Sequence, residues 1–472
     1  MTYFYGMYDD GLSYREEDNT SLLVNRFNQM IENDRLEYFE SEDIEKIIDY
    51  FCETEDTAKI KRAFSLYEKL FPFSNQISLK KAQVLVFFDK AQQALNEIRN
   101  LPLSNDEDYL FTLSVIYSKL KNHQKAIMVL KKMMSLNSKN EEVISSLASE
   151  YQKVGDFSAS NDLLEKLLLM KVRNELYWYT YILSAELEDN LTRAIQFIHY
   201  YIRQNPYDYE SWFYLGIAHK RNDDHLNAIE AFDYSISIKE NFIHAYVNKA
   251  ESLSELGYFQ NAIDCCKSTF KFKEPTAEMY FDIGDYYEKL DDLEKAKLYF
   301  YKSVKKDEYC VDSWYALALI LDLQGLHLEA TYHIKKTIDI NPKNVDYLYS
   351  YAEINEKVGF VKEAEIAYKK VLEIDEYDSE CWLNYSHLIS EYESVDEAIE
   401  ILKKAIKLNP KNAELSYRIA AYLFKSGNYD LAITFFKEAL LIDYEKHEDF
   451  FDYLPSVKSN EFLLNLLTEY KK

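Results

Sequence analysis

The sequence predicts an all-α chain, a solenoid of stacked helix-turn-helix hairpins, and three observations carry that reading. Small residues recur at one fixed step of 34: Ala126, Ser160, Ala194, Ala228, Ala262, Ala296, Ala330, Ala364, Ala398 and Ala432. The step holds without insertion or deletion from residue 107 to residue 446, and such a period marks stacked supersecondary units rather than one globular core. With the small residue set at position 20 of each unit, position 8 forms a second ladder, Ser114, Ala148, Ile182, Gly216, Ala250, Gly284, Ala318, Ala352, Ser386 and Ala420, small in all but one unit. Finally, seven of the nine glycines fall at position 8 or 15 of a unit, which leaves none for a Gly-rich phosphate loop.

Each unit resolves into two helices. Positions 4, 7, 8 and 11 recur at helical spacing and give a first helix one apolar face, with Trp212, Tyr246, Tyr280, Trp314 and Trp382 at position 4. Positions 20, 24 and 27 do the same for a second helix, with Leu130, Leu164, Phe232, Phe300, Tyr368 and Phe436 at position 24. Gly155, Gly257, Gly325, Gly359 and Gly427 at position 15 suit the left-handed residue that ends the first helix. Pro206, Pro342 and Pro410 at position 32 stop the second. Small residues at 8 and 20 let the paired helices approach closely, and a bulky replacement there is expected to overpack the contact by roughly 1–3 kcal/mol.

This pattern resembles the tetratricopeptide repeat: a large residue at 4, Leu-Gly or Leu-Ala at 7–8, a Tyr-like residue at 11, Ala at 20, an aromatic at 24 and Pro at 32. Ser211-Trp212-Phe213-Tyr214-Leu215-Gly216 with Ala228 and Phe232 carries it most fully. The resemblance implies a right-handed superhelical solenoid of stacked repeats, whose first helices line a concave face with positions 2, 5, 9 and 12 turned into the groove.

The ends depart from the pattern. Residues 1–41 read as an amino-terminal tail and a capping helix, the tail Tyr-rich, acidic and mobile, the helix amphipathic over Leu22–Phe39. Residues 42–106 hold one or two degenerate repeats. Ala82 and Ala91 are placed at positions 8 and 20 of the second, only nine residues apart, which implies a tighter turn. Ten regular repeats fill 107–446. In 447–472 a further unit begins and stops at Pro455; Glu461–Tyr470 then reads as a capping helix, with Ser459 or Asn460 as N-cap and Phe462, Leu463, Leu466 and Leu467 covering the last repeat.

Composition narrows the function. The net charge of −26 argues against nucleic acid, whose phosphates are bound by Lys and Arg. The five cysteines are odd in number and form no CxxC pair, so neither a disulfide framework nor a zinc site is expected, and Cys266 reads as a small buried hydrophobe. The nine histidines have no metal spacing, although His219, His244 and His387 lie on first helices within reach of the groove. No run of about 20 apolar residues is present, and the amino terminus lacks the pattern of a signal peptide. The basic pairs Lys131–Lys132, Lys335–Lys336, Lys369–Lys370 and Lys403–Lys404 read as a solvated face, with Glu365–Lys369 and Glu400–Lys404 as i,i+4 partners. No metal, no cofactor and no membrane are expected, and the compartment is the cytoplasm.

The candidate site is the groove implied by the resemblance. Its aromatic rungs at position 5 are Phe111, Tyr179, Phe213, Phe281, Tyr315, Tyr349 and Tyr417, and its position-2 acids include Glu210, Glu278, Asp312, Asp346, Glu380 and Glu414. Such a ladder suits an extended or helical peptide, with basic or aromatic residues favoured in the partner. A plainer reading stands beside it: an acid in the first turn also stabilises a helix dipole, and both residue types are common at these positions across the family. The carboxylate clamp used by some repeat co-chaperones is absent, because position 5 is never Lys and position 9 never Asn. The expected function is a non-catalytic scaffold or adaptor that holds a protein segment. The alternatives are a peptide or small-ligand sensor, or a regulatory subunit of a separate enzyme.

Overall fold

A computed structural model describes residues 13–33, 35–99, 101–102, 105–170 and 174–471. Two compact units divide the chain, Met1–Ile238 and Lys239–Lys472. Both are all-α, and no strand occurs among the described residues.

The first unit holds α1 (Ser13–Glu32), α2 (Ser41–Glu53), α3 (Thr57–Leu70), α4 (Asn75–Phe87), α5 (Ala91–Ile98), α6 (Glu107–Lys119), α7 (His123–Leu136), α8 (Glu141–Lys153), α9 (Phe157–Leu169), α10 (Glu175–Leu187), α11 (Leu191–Gln204), α12 (Tyr209–Arg221) and α13 (His225–Ile238). The second holds α14 (Ile243–Glu255), α15 (Phe259–Ser268), α16 (Ala277–Lys289), α17 (Leu293–Lys306), α18 (Val311–Leu323), α19 (His327–Ile340), α20 (Val345–Val358), α21 (Val361–Ile374), α22 (Ser379–Tyr392), α23 (Val395–Leu408), α24 (Ala413–Lys425), α25 (Tyr429–Ile442), α26 (His447–Tyr453) and α27 (Glu461–Tyr470). Within each unit, contacts are denser inside a hairpin than to the hairpin that follows, except at α10–α11, whose helices pack more closely on α9 and α12 than on each other.

One backbone device sets the hairpin. The residue at position 15 is left-handed whether or not it is glycine: Lys121, Asp189, Asp223 and Asp291 have φ of 57°, 56°, 54° and 61°, beside the five glycines at 75–85°. Asp tolerates this region better than most residues because its short side chain bonds locally. Glu393 is the exception, at φ −124° and ψ −82°, where α22 runs to Tyr392 before the chain turns. The small residues at 8 and 20 do what the pattern implies. A Cβ built on Gly216 would stand 2.4 Å from Phe232 Cε1, so the Phe232 ring takes the space that side chain would fill. Three position-4 tryptophans staple the loop before their helix: Trp212, Trp314 and Trp382 donate from Nε1 to the carbonyls of Pro206, Glu308 and Glu376, each at 2.9 Å.

The amino-terminal region corrects three expectations. The capping helix ends at Glu32 rather than Phe39, and Phe39 packs back into the core from an irregular connection beside Phe27 and Ile44. Residues 13–20, read as part of a mobile tail, begin α1; residues 1–12 lie outside the described residues. The turn between α4 and α5 is also no tighter than the others. Asp89 takes φ 56°, as its counterparts do, and the position-20 residue is the buried Ala94, twelve beyond Ala82. The shortening falls instead in α5, which has 8 residues where α7 has 14.

At the other end, Asn460 caps α27 by accepting from the N–H groups of Phe462 (3.0 Å) and Leu463 (3.3 Å). Leu463, Leu466 and Leu467 are buried as expected, whereas Phe462 is 51% exposed.

Candidate functional site on the first helices

In the first unit the aromatic row has a gap. Position 5 carries Phe111 on α6 and Tyr179 on α10, but Ser145 on α8. A cavity of about 490 Å³ opens at that gap, floored by Leu130 and Leu164 and walled by Ser114, Ser118, Ser145 and Ser149. Glu150 lines it at position 10, where other units carry Ile116, Ala218, Ile320 or Leu388, and is only 4% exposed. Its carboxylate accepts from Ser118 Oγ (2.6 Å), Lys153 Nζ (2.6 Å) and His123 Nδ1 (2.9 Å). Burial pushes this carboxyl up, but the bonds from Lys153, Ser118 and His123 outweigh it and hold the group below its ordinary value. The wall of the cavity is therefore an internally neutralised pair. Further along the same unit, Tyr179 is 49% exposed, while Phe213 is half-buried with its ring 5.8 Å from Phe232.

In the second unit the position-5 rings lean on the position-24 rings of their own hairpins. Phe281 lies 5.6 Å from Phe300 and Tyr349 6.2 Å from Tyr368. These residues are wedges between first and second helices that keep one edge accessible. Tyr315 Oη lies 3.0 Å from Ser350 Oγ, and Tyr349 Oη donates to Asp378 Oδ2 at 2.7 Å. Of the acids, Glu278, Asp312, Asp346 and Glu380 are exposed. Bonds from Thr276 and from its own backbone N–H hold the Glu278 carboxyl below its ordinary value, as expected of an acid in a first turn. Asp312 accepts from Tyr347 Oη at 3.2 Å. Glu414 pairs with Lys446, and in the first unit Glu210 accepts from Tyr209 Oη at 2.8 Å.

Asp282, at position 6 of α16, was not singled out by sequence. Burial, reinforced by Glu251, Asp285 and Glu278, raises its carboxyl to about 6. Nothing in the pattern marks it, because position 6 takes polar residues in several units. Glu150 did carry a signal, a charge at a position otherwise small or apolar.

Tyr417 is a correction to the candidate site. It is 1% exposed, with its ring 5.7 Å from Phe436 and its hydroxyl donating to the Asp443 carbonyl at 2.9 Å. The cause is α26, which packs on α24 rather than taking the place of a next first helix. Tyr453 of α26 reaches back to His387 Nδ1 (3.0 Å) and Tyr422 Oη (3.2 Å) and lies under the Arg418 guanidinium at 3.9 Å. His387 is thus covered rather than free. His219 is buried against Asp224 (3.1 Å), and of the three histidines only His244 is exposed. Outside this face, Cys266 is a buried thiol that burial pushes well up, and Cys265 donates to the Tyr246 carbonyl at 3.3 Å. Lys369 pairs with Glu365 at 2.7 Å as expected, whereas Glu400 takes Lys403 (2.8 Å) rather than Lys404.

Sequence models described as tetratricopeptide repeat match residues 107–140, 277–308 and 391–448. In those segments the chain carries tetratricopeptide repeats, in keeping with the hairpin geometry and the 34-residue register. Over 257 residues it is 22% identical to anaphase-promoting complex subunit 3 of Schizosaccharomyces pombe, a match covering 54% of this chain and 28% of that protein. The chain therefore spans little more than a quarter of the length of the curated relative it matches. Similar solved structures include the C-terminal part of a TPR repeat-containing protein from Cytophaga hutchinsonii, at 18% identity and TM-score 0.45, covering 51% of this chain and 99% of that one. The anaphase-promoting complex hetero-tetramer Cut9–Hcn1 is similar at 14% identity and TM-score 0.35, covering 87% and 94%. YrrB, described as a TPR protein with an unusual peptide-binding site, is similar at 15% identity and TM-score 0.33, covering 39% and 94%. Among the described residues no helix is long and apolar enough to cross a membrane.

Proposed function

We propose that this protein is a non-catalytic scaffold whose first-helix faces hold a segment of another protein. The observation that carries the reading is the cavity at Ser145, a hollow of about 490 Å³ between helices α6, α8 and α10, lined by groove positions of the repeat. A volume of that order accommodates side chains of a bound segment rather than a lone ion. In the second unit Glu278, Asp312 and Asp346 stand exposed on three successive first helices and favour basic residues in the partner. We place the protein in a reducing cytoplasm, on five cysteines that all remain free thiols.

Selection from a random peptide display library tests this. The wild-type chain is expected to enrich peptides carrying Lys or Arg beside aromatic residues. Charge reversal of Glu278, Asp312 and Asp346 together is expected to remove the basic preference while helicity by circular dichroism stays unchanged. Identical selections from wild type and variant, with identical helicity, refute the reading.

A further inference from the structure

We propose that the hollow between the α1–α2 connection and α3 is an anion site for a phosphate monoester carried on an apolar body. It has a volume of about 490 Å³, and three cations line it, Arg35, Arg62 and Lys69, together with Ser65. No carboxylate among the described residues lines it, and none of the three cations pairs with an acid among the described residues. In a chain with 81 acids and 55 basic residues that is an unusual arrangement. Of the neighbouring acids, Glu37 pairs with Arg26 Nε at 2.7 Å and Glu68 with Lys81. Three like charges around one hollow repel each other, and a bound dianion relieves that repulsion.

The fold fixes the backbone positions from which these exposed cations extend. Arg62, Ser65 and Lys69 stand at i, i+3 and i+7 on α3 and so share one face. Arg35 comes from a pinned connection: its N–H donates to the Met30 carbonyl (3.3 Å), Arg26 donates to the Tyr38 carbonyl (2.9 Å), and the same guanidinium lies 4.5 Å over the Phe39 ring. Two guanidinium forks, an ammonium and a hydroxyl form a donor set matched to phosphate oxygens. The net charge of −26 does not cancel this local field, because charges more than about 8 Å away are screened at physiological salt. Met30, Ile31 and Leu36 form the other wall, and Leu36 is 67% exposed. That wall has no use for inorganic phosphate but suits the organic part of an ester.

Calorimetric titration of the full chain in phosphate-free, low-salt buffer tests the assignment with three probes: phenyl phosphate, a phosphotyrosine peptide and inorganic phosphate. Both esters are expected to saturate a single site, with inorganic phosphate at least tenfold weaker. Arg62→Glu and Lys69→Glu are each expected to weaken the esters at least tenfold. Lys61→Glu, an exposed change on α3 that does not line the hollow, is expected to leave them unaltered. Tighter binding of the peptide than of phenyl phosphate identifies a phosphorylated protein side chain as the source, and equal binding a small ester; both support the site. Absence of saturation, equal loss in the Lys61→Glu control, or inorganic phosphate bound as tightly as the esters overturns it. Circular dichroism of each variant separates loss of the site from loss of fold.

Discussion

Glu150 in the first unit and Asp282 in the second are both carboxylates on first helices, both drawn in from solvent, and their electrostatic states are opposite. Glu150 is enclosed by Lys153, Ser118 and His123, which hold its proton affinity below normal. Asp282 is enclosed by burial and by Glu251, Asp285 and Glu278, and titrates near 6. The chain is acidic in both regions, so composition does not separate them; the neighbours do. On the α8 face the charge is answered by a direct ion pair to Glu150, whereas at Asp282 the countering cation is Lys289, which pairs with Asp285 at 2.9 Å instead. A basic partner therefore gains more on the second face, which is where the charge-reversal test is aimed.

Substitutions at the two sites are expected to move stability in opposite directions. The largest effect belongs to Glu150→Ala, which removes a buried carboxylate that accepts from three partly exposed donors, and is expected to destabilise the chain by about 1–3 kcal/mol at pH 7 in urea unfolding. A carboxyl whose folded value is depressed stabilises the fold above its unfolded value of about 4.3 and loses that contribution as pH falls through the folded value. The gap between variant and wild type should therefore narrow as pH falls below the unfolded value, and a gap that widens in acid would contradict the network.

Asp282→Asn is expected to act the other way, stabilising the chain by roughly 1–2 kcal/mol at pH 7. The sign follows from the raised value: the penalty of the wild-type carboxylate is fully present above about 6 and gone below about 3.9, the ordinary Asp value. The advantage of the variant should thus shrink between pH 6 and pH 4, and a variant less stable than wild type at pH 7 would show that Asp282 is answered after all. The smallest change in stability is expected for Ser145→Phe, within about 0.5 kcal/mol of wild type in thermal unfolding. It restores the missing rung and fills the cavity, so peptides selected on the wild-type chain should lose at least tenfold in affinity. Retained affinity would place their binding elsewhere.

Much of this architecture was legible because a repeat displays its constraints many times over. Ala194, Ala228 and Ala262 report the same close helix approach, and Gly155 and Gly257 the same left-handed turn. Where the pattern was read once, without neighbours to check it, it misled. Ala91 has the look of position 20 in a shortened unit, although the left-handed Asp89 and buried Ala94 keep the ordinary spacing. For the candidate site, the repeat fixes which face a residue occupies but not what lies over it. Tyr349 and Tyr417 hold the same position, yet only Tyr417 is sealed, because α26 folds onto α24. Phe462 misled in the opposite sense: it is apolar and close to Leu463, but on the outer side of α27.

The sequence by itself determined the all-α class, the hairpin and its length, and the side chains that close each helix pair, because these rest on contacts local to one repeat and recur with its period. Only the tertiary structure decided which groove positions stay open, which carboxylates are neutralised, and which cations gather around one hollow. Those properties depend on residues far apart in sequence, such as Tyr453 with His387 or Lys80 with Asp49. Access and charge state are set by the whole surroundings of a group, and no period in the sequence encodes them.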